Sequence, residues 1–165
     1  MTTLSPVLPA MAMPVVDGVG GIERRVCSRV LQWWRDLAAP RRTPSRATID
    51  AADSGEFGAN LFILRCAADP SGNVFEHAGP TLRSALGRDP TGLDLAAAWP
   101  AGALARASFL QRSCAELLTP IDEAGRWSLA GEDIVYRCVL MPVCDDEGRT
   151  THLLGAFSFR RLAYA

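Results

Sequence analysis

The chain is 165 residues long, the size of one domain with an appendage, and its 17 basic residues against 18 acidic ones leave a formal charge of −1. Every basic residue is arginine, which excludes Schiff-base chemistry on lysine and a lysine phosphate cradle, and the balance of charge excludes the basic surplus of a nucleic-acid binder. The 48% hydrophobic content is ample for a core.

Residues 1–20 carry Pro6, Pro9, Pro14 and several glycines and read as a flexible tail, with neither the charged start of a signal peptide nor the apolar length of a membrane span. Residues 21–39 follow as an amphipathic helix, because Ile22, Val26, Val30, Trp33 and Leu37 recur every three or four positions. Pro40 stops it, and residues 40–59 read as a polar linker with one helical turn around Ile49 to Ala52.

Residues 60–162 have the texture of a folded unit. NLFILRCA and VFEHAG, separated by DPSGN, predict a hairpin. PTLRSAL predicts a short helix ended at Gly87, LDLAAAWP another stopped by Pro100, and residues 101–120 a longer one closed by Pro120. GRWSLAG, DIVYRCVLMPVC and RTTHLLGAFSFRRL predict three closing strands. The order β-β-α-α-α-β-β-β predicts an α+β fold, a five-stranded antiparallel sheet with helices on one face.

The long strand constrains the other face. Ile134, Tyr136, Cys138, Leu140 and Pro142 alternate with Val135, Val139, Met141 and Val143, interrupted mainly by Arg137, so both sides are apolar. The amphipathic helix is the remaining apolar surface able to cover the second side, on its own sheet or on that of a partner.

The stretches LQWWRDLAAPRRTPSRATID, HAGPTLRSALGRDPTGLDL and VYRCVLMPVCDDEGRTTHLLGAF, in this order, resemble the PAS domain superfamily, and within it the small bacterial single-PAS proteins with an extra N-terminal helix. The resemblance covers roughly residues 28–160. It implies a sensory or interaction domain with a pocket between sheet and helices, dimerising through its flanking helix. It carries no cofactor: LDLAAAWP lacks the cysteine of the flavin-binding branch, Cys114 lies on the later helix, and residues 101–118 hold no axial histidine for haem.

Five cysteines without a C-x-x-C pair argue against a disulfide framework and a zinc site, and His77 and His152 stand without a ligand cluster, so no metal is expected. No nucleophile elbow, H-E-x-x-H pair or complete phosphate loop occurs, so no catalytic residue is expected and a small enzyme on an α+β scaffold is the least supported reading. Polar groups on an apolar cleft orient small ligands, which makes Phe62, Trp99, Gln111 and Tyr136 candidate pocket residues. Ile22, Val26, Val30, Trp33, Trp34 and Leu37 are candidate interface residues. The adjacent tryptophans point about 100° apart on a helix, so one can pack on the sheet while its neighbour meets another surface. The expectation is a stand-alone, non-enzymatic, cytoplasmic module in signal transduction. It would form a homodimer through the N-terminal helix, pass its signal to a separate protein, and touch neither nucleic acid nor membrane. The alternative is a sensor with a dissociable small-molecule ligand.

Overall fold

The computed structural model describes residues 19–163. All but the last two residues of the expected tail, and the side chain of Ile22, lie outside the described residues. Helix α1 runs from Val19 to Ala38, two residues longer at its start than expected. The linker region is not a bare connector. It forms helix α2 (Arg46–Ala51), capped by Ser45, whose side chain accepts the Thr48 N–H, and a 3₁₀ segment, Gly55–Asn60.

Strands β1 (Leu61–Arg65) and β2 (Val74–Ala78) form the first hairpin. Helix α3 (Pro80–Leu86) starts with proline and ends on left-handed Gly87, α4 (Leu95–Ala98) is capped by the Asp94 carboxylate, and α5 spans Leu104–Leu117. Strands β3 (Ile121–Leu129), β4 (Glu132–Cys144) and β5 (Thr150–Ala163) complete an antiparallel sheet of order β2-β1-β5-β4-β3. The five-stranded α+β architecture is as expected, but β3 begins at Ile121 rather than at Gly125. Its first four residues pair with Arg137 to Leu140 of β4, and that tertiary pairing extends the strand through two acidic residues.

The sheet separates two apolar cores. Ile134, Tyr136, Cys138 and Leu140 of β4 join Leu153 and Phe157 of β5, Phe62 and Leu64 of β1, and the inner sides of α3, α4 and α5. On the reverse side Val139, Met141 and Val143 join Leu154, Ala156, Leu61 and Ile63 beneath Cys27, Val30 and Trp34 of α1 and Ile49 of α2. Strand alternation divides β4 and β5 between the two cores. Helix α1 thus covers its own sheet. Trp34 is buried there and its indole N–H donates to the Pro142 carbonyl at 3.0 Å. Trp33 points aside, half-buried, with its ring 6.2 Å from that of Phe57.

The linker is fastened on this same side. Arg46 pairs with both Asp50 and Glu76, and the other Glu76 oxygen faces His152 Nε2 at 3.3 Å and Arg65 at 3.5 Å. Among the described residues no helix is long and apolar enough to cross a membrane.

Candidate functional site

Aromatic residues from both halves of the fold meet in the core beneath the helices. Pro100 halts α4 and Trp99 adopts an extended conformation at its C-cap, with its ring in the core. There it stacks on Phe75 with ring centroids 6.3 Å apart and meets Trp127 edge-on at 5.1 Å and Phe157 at 6.3 Å. Tyr136 packs against Trp127 at 4.7 Å and Phe157 at 5.2 Å, and Phe62 reaches the group through Phe75 at 6.0 Å. Gly155 makes room for Phe62, because a Cβ there would overlap its ring.

Three polar features interrupt this packing. The Tyr136 hydroxyl donates to Glu123 Oε1 at 3.0 Å, and Arg106 Nε donates to the same oxygen at 3.2 Å. Burial raises the Glu123 carboxyl above its usual range against the opposing pull of these two donors, and burial with the adjacent carboxylate raises the tyrosine hydroxyl. Gly125 allows this approach, since a Cβ would lie 2.5 Å from the Tyr136 oxygen.

The second feature is a buried amide pair: Asn73 Nδ2 donates to Gln111 Oε1 at 2.8 Å, while Asn73 Oδ1 accepts the Ala67 N–H. The third is an indole. Trp127 donates its N–H to the Ala85 carbonyl at 3.0 Å, but the buried N–H of Trp99 has no acceptor among the described residues. A buried polar group left without a partner is unusual in a folded protein.

The structure therefore brings Phe62, Trp99 and Tyr136 into one aromatic cluster and buries Gln111 at α5, bonded to Asn73. Glu123, Trp127 and Asn73 were not foreseen. The alternation of Ile121, Glu123, Gly125, Trp127 and Leu129 toward the helices was the available signal for the first two. Of the candidate interface residues, Val30 and Trp34 belong to the core under α1, whereas Val26, Trp33 and Leu37 are half-buried at its margin. Beside α1, Cys27, Ser28, Leu31, Asp122, Arg137 and Val139 line a cleft of about 290 Å³.

His77 is exposed on β2, and His152 bonds Thr151 and Glu76. Burial pushes the Cys66 thiol up to about 11 and that of Cys114 to about 12, which suits small apolar side chains rather than nucleophiles. Among the described residues no group of three or more His, Cys, Asp and Glu side chains is arranged to hold a metal ion.

The family described as PAS domain matches residues 23–158. No curated protein sequence matches the chain. Among solved structures, the chain is similar to the PAS domain of BvgS from Bordetella pertussis, with TM-score 0.49 and 17% identity over 62% of this chain and 77% of that one. It is also similar to a LOV protein from Rhodobacter sphaeroides, with TM-score 0.49 and 16% identity over 67% of this chain and 62% of that one. A sensory box sensor histidine kinase from Vibrio cholerae matches with TM-score 0.43 and 14% identity over 82% of this chain and 98% of that one.

Proposed function

Because the chain belongs to the PAS domain family, we propose that it is a non-enzymatic cytoplasmic sensory module in signal transduction, passing its signal to a separate protein through α1. One observation carries this reading: the two cores share β4 and β5. Cys138 and Leu140 face the aromatic cluster's side, while Val139 and Met141, between and beyond them, support α1. A displacement in the aromatic core is thereby transmitted to α1 within one residue of strand, since packed interiors pass on strain instead of absorbing it.

The expected homodimer through residues 21–39 would have to use Val26, Trp33 and Leu37, because Val30 and Trp34 are committed to the chain's own sheet. We assign that margin to the output protein. Amide hydrogen exchange tests the coupling. Trp99→Phe and Tyr136→Phe, both confined to the helix-side core, should alter exchange along α1. Unchanged protection of α1 in both variants would overturn this reading.

The orphan N–H of Trp99 favours a second reading, a small-molecule sensor whose ligand carries an acceptor. Leaving such a donor unpaired costs about 1–3 kcal/mol, which a carbonyl or ring nitrogen of a ligand would recover. Native mass spectrometry of the protein purified from its host should show a retained mass that Trp99→Phe loses. A bare polypeptide mass in both counts against it.

A further inference from the structure

The two edges of the sheet are unlike. On the β2 edge, Phe75 donates its N–H to the Leu93 carbonyl and accepts from the Gly92 N–H, and Asn73 accepts from Leu95, so residues 92–95 close that edge. The β3 edge has no such cover. Among the described residues no hydrogen bond joins the outward backbone of residues 122–126 to another element.

The hairpin fixes which backbone groups point outward. Ala130 and Gly131 both have positive φ, 51° and 81°, and form a two-residue turn closing on the Leu129–Glu132 pair. Alternation along the ladder then turns the N–H and C=O of odd-numbered residues toward β4 and those of Asp122, Ala124 and Arg126 away from it. The side chains of these three are exposed on the α1 side of the sheet. The open stretch at residues 122–126 of this nine-residue strand is a template for another strand.

We propose that this edge is a self-association surface on which β3 of a second copy pairs antiparallel, centred on Ala124, joining two five-stranded sheets into one. The charges select both the partner and the register. Pairing about Ala124 sets Asp122 opposite Arg126 of the partner subunit, and the two-fold repeats that ion pair. Centring on Asp122 or on Arg126 opposes like charges, and centring on position 123 or 125 leaves both unmatched. Asp122 has no cationic partner among the described residues, while Arg126 is 69% exposed and holds Asp133 only at 3.5 Å. Asp122 is open to a second strand, and Arg126 can exchange its exposed 3.5 Å contact with Asp133 for one there.

Sedimentation equilibrium of the intact chain should show a reversible dimer. Ala124→Pro removes an outward N–H that β4 does not use, and should weaken the dimer by about tenfold or more while leaving the hairpin ladder intact. Asp122→Arg and Arg126→Asp should each do the same by opposing like charges. The decisive arm is charge exchange, which does not depend on the proline variant: an equimolar mixture of the two charge variants should form a heterodimer, and the double variant should dimerise like the wild type. A chain monomeric at every concentration, or a dimer indifferent to the charge changes, overturns the proposal. Neither result bears on the exchange test of α1.

Discussion

The Trp34 indole N–H meets the Pro142 carbonyl at 3.0 Å across 108 residues of sequence, and this bond joins the C-terminal part of the first helix to the far end of β4. Proline has no N–H to offer the sheet at that point, so the strand's anchor there comes from the helix through its carbonyl. Trp34→Phe keeps most of the buried ring and drops the donor, and should cost about 1–3 kcal/mol. Trp34→Ala should cost about 3–5 kcal/mol through the cavity it opens. Urea denaturation distinguishes these from Trp33→Ala, whose half-buried ring should be worth less than either.

Gly155 lies directly under the Phe62 ring. Gly155→Ala should destabilise by about 3 kcal/mol, and Phe62→Leu in the same chain should recover part of that loss. A double-mutant cycle measured by thermal unfolding reads the coupling. Additive losses would mean that the ring is displaced freely.

Two glutamates should oppose each other in acid. Burial alone would raise the Glu76 carboxyl, but Arg46 and His152 outweigh it and hold it below the usual range. Its contribution is therefore present at neutral pH and lost as pH falls through that lowered value. Glu123 is raised, so its contribution is complete in acid and is lost as pH rises through the raised value. Glu123→Gln keeps an acceptor for Tyr136 and removes that loss. The stability of Glu123→Gln relative to wild type should climb as pH rises above the ordinary carboxylate range, whereas that of Glu76→Gln should climb only as pH falls below that range. Parallel unfolding curves across the pH range settle both signs.

Asn73 holds four partners: the Ala67 N–H and the Gln111 side chain through its amide, the Leu95 N–H through its carbonyl, and the Pro70 carbonyl through its own N–H. Asn73→Ala strands the buried Gln111 amide and frees the Ala67 N–H of an exposed residue, and should cost about 2 kcal/mol. Hydrogen exchange should show the loss first at Ala67.

The alternation of β4 and the stripe of α1 are visible in the sequence because their periods are local, and together they imply a sheet with two buried faces. The beginning of β3 is hidden, because Pro120, Asp122 and Glu123 read as a loop until β4 is laid beside them. Glu123 becomes a buried carboxyl only when Tyr136 and Arg106 arrive from other elements. Phe62, Trp99 and Tyr136 could be assigned to one core from their character alone. The partner of Gln111 could not, since an asparagine in DPSGN signals a turn before it signals an interior contact.

The order of the strands in space also governs how the chain can be made. β5, the last of these five strands to be synthesised, lies between β1 and β4 and bonds to both. A nascent chain emerging from the ribosome can form α1 and either hairpin early, yet neither core can close until Thr150–Ala163 has emerged to join the halves. Such distant pairing slows folding and leaves unsatisfied strand edges exposed in the meantime. Until then the amphipathic first helix has only half its sheet to cover, and its apolar stripe faces water or a chaperone.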